Sequence, residues 1–293
     1  VASEVYQGMI SDALQATTYE ASLGALSAGI GAGWQGLTLS VNGFDDRLAE
    51  LADKVAAQLR TAPVRPVDFN RRKESLLQPL ANLRRRQPIG LARYYRSLAL
   101  ETGKFSLDEL EAAAAALTIS DVSTFQKNLL READLEALVC GNMREAEARS
   151  LLASLQKAVP AAPLPPERRP VRRVRRLRRD ADGVAVRQFV GANAAEKNGA
   201  CELFFQVGRD EGDDWALLAL AAQLVEQPFY GELRTKQQLG YIVASAVAEE
   251  EGVRGLVFAV QSAVLPPPEL QKRIEAFVGS FRQTLSRLSD AEL

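Results

Sequence analysis

The segment LRTKQQLGY (residues 233–241) carries the residue types best placed to do chemistry. Arg234 supplies a cation near the end of a helix, and Tyr241 supplies a phenol just past Gly240. If both project into a crevice at that end, the pair can polarise a backbone carbonyl. The same letters also read as plain helix termination, with Arg234 and Lys236 in the last turn, Gly240 as cap and Tyr241 opening a strand. At this point both readings stand.

Other chemistry is removed by composition. The 293 residues contain no His, which takes away the commonest general base, every His-containing triad and every His-ligated metal site. Cys140 and Cys201 lie far apart with no CxxC partner, so neither a zinc quartet nor a disulfide framework follows, and a reducing compartment is favoured. Cys140 reads as a core thiol within a buried strand. The glutamates 249–251 read as a solvated turn, lacking the further oxygen ligands a metal needs. GIGAGWQG (29–36) lacks the GK[ST] ending of a phosphate loop and reads as a hairpin turn.

Eight arginines fall between Arg168 and Arg179. They suggest a phosphate-backbone stripe, but no aromatic residue interleaves with them to stack a base. A solvated or acid-paired interdomain strap fits better, with Asp210–Asp214 and Glu249–Glu251 as its expected partners. The net charge of −1 adds no overall attraction to nucleic acid or membrane, and no apolar run approaches the length of a membrane span. The opening VASEVYQGMI has neither an initiating Met nor a signal pattern, and the closing RLSDAEL stops at a helix start. Both suggest a piece of a longer polypeptide.

The elements that must position these residues follow from periodicity. Val5, Met9, Ile10, Ala13 and Leu14 mark a helix over residues 3–22, broken at Gly24. A hairpin spans 26–44, and Asp45 or Asp46 caps a helix carrying Leu48, Leu51, Val55 and Leu59 that stops at Pro63. One long helix is expected from Val67 to about Leu100, with Leu76, Leu77, Leu80 and Leu83 inside. Two Ser-capped helices follow at SLDELEAAAAAL and SDVSTFQKNLL, then a strand at LEALVCGN (135–142) and a helix over 143–158. Residues 159–170 hold five prolines and read as an extended linker. Beyond it come a strand at 201–208, a buried-looking helix from the acidic cluster to Pro228, a restarted helix ending at Gly240, two alternating strands and a final amphipathic helix.

The two halves repeat one order. Helix, LGALSAGI (23–30), GLTLSV (36–41) and helix are matched by helix, LGYIVASA (239–246), GLVFAV (255–260) and helix. The expected class is α+β: two similar domains, each a mainly antiparallel sheet with helices packed on one face, over residues 1–158 and 180–293 with a Pro/Arg-rich linker at 159–179.

At PFYGELRTKQQLGYIVASAV (228–247) the chain resembles the pitrilysin and insulin-degrading enzyme family of zinc metallopeptidases, inverted zincins whose metal site is H-x-x-E-H. Supporting matches are GLVFAVQSA (255–263), SVNGFDDRLAEL (40–51) and LVCGNMREAEARSL (138–151). The resemblance implies that residues 1–158 are domain three and 180–293 are domain four, truncated at its C-terminus. It implies a C-terminal half that is not catalytic, with zinc and its ligands in the N-terminal half of the same polypeptide. In the family the Arg and Tyr of the R-T-x-x-Q-L-G-Y motif hold substrate, and these match Arg234 and Tyr241. Within the family the wording is most similar to the branch that processes the precursor peptide of coenzyme PQQ. The resemblance thus implies a peptide substrate, no nucleic acid, no membrane, and a cytoplasmic location with the periplasm as alternative. The rivals are a general oligopeptide-degrading enzyme of the protease III type and a metal-free binding subunit that keeps the fold.

Overall fold

The computed structural model describes residues 1–176, 185–209 and 212–287. In chain order the regular elements are α1 (Ala2–Leu23), β1 (Ser27–Gly33), β2 (Gly36–Asn42), α2 (Leu48–Thr61), α3 (Pro66–Arg84), α4 (Pro88–Leu100), α5 (Leu107–Ala116), α6 (Ile119–Leu129), β3 (Glu132–Ala133), α7 (Glu145–Ala158), β4 (Ala162–Pro163), β5 (Gly199–Arg209), α8 (Asp214–Tyr230), β6 (Ile242–Glu250), β7 (Val253–Ser262) and α9 (Pro267–Leu285). The architecture is α+β. The order α1–β1–β2–α2 is repeated by α8–β6–β7–α9. Two compact units form, Val1–Leu80 with Leu107–Val171, and Ala81–Ser106 with Arg172–Leu293.

In the first unit, β1 and β2 pair antiparallel around Trp34 and Gln35, so the Gly-rich text is a hairpin. Val5, Tyr6, Met9, Ile10 and Leu14 of α1 meet Leu51, Val55 and Leu59 of α2 in a closed core, joined by Ile30, Phe69 and Val122. The 3.6-residue period puts those α1 and α2 positions on facing stripes, and their burial is the main stabilising term. One polar knot lies inside this core. Fully buried Tyr6 donates its phenol to the Leu59 carbonyl at 3.1 Å, while Gln126 Nε2 lies 2.8 Å from Tyr6 Oη, 3.0 Å from the Arg60 carbonyl and 2.8 Å from the Ala62 carbonyl. Burial pushes the Tyr6 phenol up, so it stays protonated and keeps donating. Gln126→Leu leaves these acceptors unsatisfied and is expected to cost about 1–3 kcal/mol, read as a lowered thermal midpoint.

Four expectations for this part of the chain fail. The single helix over 67–100 is two, α3 and α4, because Pro88 lacks an N–H and forces Gln87 into extended backbone at φ −55°, ψ 148°. The helix at SDVSTFQKNLL is capped by Thr118, not by its serine: Thr118 accepts from the Asp121 amide and Asp121 returns the bond, a reciprocal cap the serine further on cannot make. LEALVCGN (135–142) forms no strand. Only Glu132 and Ala133 pair, parallel to Ala162 and Pro163; Leu138 is 89% exposed and Cys140 is exposed. β propensity needs a neighbouring strand to bond, and none lies beside 135–142 among the described residues. The helix after the first hairpin also lacks its expected Asp cap, since a 3₁₀ turn over Asp45–Arg47 leads into α2 with Arg47 at the cap position.

The second unit is a three-stranded antiparallel sheet in the order β5–β7–β6. On one face Val225 and Phe229 of α8, Leu270, Ile274 and Phe277 of α9, and Leu233 and Leu239 pack over Val243, Phe258 and Val260. α8 is less buried than its apolar text suggests, with Leu217 and Leu220 exposed. Alternation along β5 sends Glu202 and Phe204 to the other face, which α4 covers. There Arg96 pairs with Glu202 and, at 2.5 Å, with Glu250, and its guanidinium lies 4.9 Å from the centre of the Phe204 ring. Gln261 of β7 accepts the Ile89 amide at 3.0 Å, so the sheet itself caps the start of α4.

Three arginines of the strap are acid-paired. Arg168 pairs with Glu132 and Arg169 with Asp134; Arg172 pairs with Glu251 and, at 3.1 Å, with Glu101. Arg178 and Arg179, and the expected partners Asp210 and Glu211, lie outside the described residues.

Candidate functional site

The helix α8 continues through Pro228 to Tyr230, and the widening comes after it: Gly231–Lys236 form a π-helical turn, with the Gln237 amide bonded to the Glu232 carbonyl at 3.0 Å. Such i→i−5 bonding makes a wider turn than the α ladder before it. The chain then reverses at Gln238, a non-glycine residue at φ 52°, and the Leu239 amide closes on the Leu233 carbonyl at 3.0 Å.

Gly240 is therefore not the left-handed cap expected of it. A Cβ at this position would lie 1.9 Å from the Gln261 carbonyl oxygen, so glycine is needed for the close approach of the chain to the end of β7. Gly240→Ala must push that backbone away and is expected to cost about 1–3 kcal/mol, measured as a shift of the denaturant midpoint.

This turn brings Arg234 and Tyr241 together. The guanidinium carbon lies 5.5 Å from the centre of the Tyr241 ring, within cation–π range, and the ring is 87% exposed. Lys236, two residues on, is held by Glu232 at 3.0 Å, and Gln237 also donates to Glu232 at 3.1 Å. Lys236 thereby holds Glu232 below the usual carboxylate range. Among the described residues no carboxylate stands within ion-pair distance of Arg234. The site is an accessible phenol and an accessible cation on a rigid helix-to-strand junction, both able to donate to an incoming carbonyl or carboxylate.

The segment's other face was not anticipated. Between the π-helical turn and α9 lies an open groove of about 650 Å³, lined by Thr235, Lys236, Arg273, Phe277, Phe281 and Thr284. Its signal was present only as the spacing of Phe277 and Phe281 on α9, which reads as ordinary core.

Remaining candidates resolve simply. Cys201 is partly buried on β5, and burial, with Glu275 and Glu202 nearby, pushes its thiol up to about 11, far from a nucleophile's range. The glutamates expected as a solvated turn are ion-paired: Glu249 with Arg254 at 2.8 Å, Glu250 with Arg96, Glu251 with Arg172. The chain has no His, and among the described residues no three of its Cys, Asp and Glu side chains gather to hold a metal. No described helix is long and apolar enough to cross a membrane.

Comparison with known proteins identifies the architecture. Residues 1–113 match the model for the middle or third domain of peptidase M16, and residues 220–293 match the C-terminal lobe domain 4 of PQQ synthase PqqF-like proteins. The insulin-degrading enzyme of Homo sapiens is 29% identical over 290 residues, covering 98% of this chain and 28% of that protein. The crystal structure of pitrilysin aligns over 99% of this chain and 30% of its own, with TM-score 0.80 and 24% identity. The periplasmic protease PqqL from Escherichia coli aligns over 99% of this chain and 33% of its own, with TM-score 0.52 and 13% identity. The chain thus spans about a third or less of the length of these proteins. Both ends of the chain match domains of M16 peptidases, and over nearly its whole length the chain is similar to the insulin-degrading enzyme and to pitrilysin.

Proposed function

We propose that this chain is the non-catalytic C-terminal half of a zinc metalloendopeptidase, domains three and four, and that Arg234 and Tyr241 hold peptide substrate for it. The observation that carries the reading is the pair itself: an exposed phenol and a guanidinium with no carboxylate in ion-pair distance among the described residues, set 5.5 Å apart on a junction held by the π-helical turn and the Gly240 contact. The phenol donates a hydrogen bond to a substrate carbonyl oxygen, and the guanidinium adds positive charge beside it. Zinc, bound by H-x-x-E-H ligands in the N-terminal half of the same polypeptide, supplies the hydrolytic chemistry. The match of residues 220–293 to a PqqF-like domain supports a substrate drawn from coenzyme PQQ biosynthesis, the precursor peptide of that quinone. Two free cysteines, one of them exposed, suit a cytoplasmic location.

The test is the full-length polypeptide, assayed for zinc and for cleavage of the PQQ precursor peptide beside unrelated oligopeptides of equal length. Stoichiometric zinc and preferred cleavage of the precursor are expected. Indiscriminate cleavage would make the parent a general oligopeptidase, and an upstream sequence without H-x-x-E-H would make it a metal-free binding subunit.

A further inference from the structure

The hairpin beside Tyr241 leaves one sheet edge open. β6 and β7 are joined by the two-residue turn Glu251–Gly252, whose φ values of 48° and 76° are those of a type I′ turn. That turn makes Glu250 and Val253 a hydrogen-bonded pair, and antiparallel pairing alternates from there. Ile242, Ala244, Ala246, Ala248 and Glu250 therefore bond β7, while Val243, Ser245, Val247 and Glu249 turn their N–H and C=O groups outward. No other described strand pairs with β6, and no described backbone group bonds those four residues.

Natural edges are usually blunted by proline, lysine or a bulge. The strand IVASAVAEE has none of these, and its pairing with β7 is regular throughout. Ala244 and Ala246 are exposed and too small to screen the backbone. Charge gives the edge a direction. At its start stand Arg234, with no carboxylate in ion-pair distance among the described residues, and the exposed Tyr241 ring; at its far end Glu249 is already paired with Arg254 at 2.8 Å.

We propose that the outer edge of β6 binds an extended peptide as a fourth strand, running antiparallel to β6 so that its C-terminal end, or an acidic side chain there, reaches Arg234. The backbone groups of Val243, Ser245, Val247 and Glu249 supply the ladder, and Arg234 with Tyr241 fixes the register. This deepens the reading of that pair as substrate contacts and rests on it for the identity of the ligand as peptide.

The experiment uses the chain itself and a soluble dodecapeptide of alternating Thr and Val with a free C-terminal carboxylate, followed by amide hydrogen exchange. At a probe concentration roughly nine times its Kd, exchange at Val243, Ser245, Val247 and Glu249 should slow about tenfold. A twin peptide N-methylated at every second residue should lose that protection. Val247→Pro, which removes an outward N–H and no bond to β7, should abolish it with the thermal midpoint retained. Three results overturn the proposal: unchanged exchange with saturating probe, equal protection by the N-methylated twin, or protection of these amides in the absence of peptide, which would mean the edge is already covered by a second copy or by another segment of the polypeptide. The outcome is separable from that of the Arg234–Tyr241 reading. Protection at the edge with normal turnover of the Tyr241→Phe parent sinks only the latter, and lost turnover without edge protection sinks only the former.

Discussion

In the full-length parent, Tyr241→Phe and Arg234→Ala are each expected to lower turnover about a hundredfold while zinc content and thermal midpoint stay at their wild-type values. A donor placed beside a carbonyl whose oxygen gains negative charge is worth roughly 3 kcal/mol in the transition state, and that is the interaction each substitution removes. The local geometry predicts the clean separation from folding. Tyr241 is 87% exposed and its only described partner is the Arg234 guanidinium at 5.5 Å, so neither side chain supports the core beneath, which is built from Leu233 and Leu239. Steady-state kinetics and a melt on the same variants decide it. A lowered midpoint with activity lost only in proportion would reduce the pair to a clasp between helix end and strand start.

The closeness of the pair was legible because only six residues separate Arg234 from Tyr241 across a predicted helix end, a span short enough for local rules to bring them together. The repeated helix, hairpin, helix order was legible for the same reason, since each period is written within a dozen residues. What failed depended on distant partners. Gly240 looked like a cap because glycine after a helix usually is one; its actual constraint, the Gln261 carbonyl, lies on a strand the local text cannot see. LEALVCGN has the composition of a strand but no neighbour to make it one among the described residues. Residues 88–100 read as helix, correctly, yet nothing in them announces the sheet they cover.

The largest stability effect is expected at Arg96. Its side chain is 12% exposed, and it neutralises Glu202, 4% exposed, and Glu250, 14% exposed. Burial and a hydrogen bond shared with Glu101 push the Glu250 carboxyl up; Glu101, against its own burial, is held down by Lys104 and Arg172. Arg96→Met keeps most of the side-chain volume and leaves Glu202 buried without its cation, so it should cost roughly 3–5 kcal/mol, visible as early unfolding of the second unit in urea. Replacing Glu202 with Gln in the same variant should restore part of the loss, because the charge left behind, more than the missing ion pair, is the source of the cost. A midpoint unchanged by Arg96→Met would show that water reaches the Glu202 carboxylate.

The position of α4 has a practical consequence for anyone dividing the chain. The prolines of residues 159–170 invite a cut there, but α4 lies far upstream of that cut while the sheet it covers lies downstream. A fragment starting at the prolines would carry β5, β6 and β7 with one face stripped, Glu202 without its cation and Gln261 without its amide. Such a fragment would be made and would aggregate. The same topology offers a remedy in two pieces: a synthetic peptide of residues 81–106 has every group needed to reseat itself on that face, so fragment complementation, and not a shorter expression boundary, is the route to an isolated second unit.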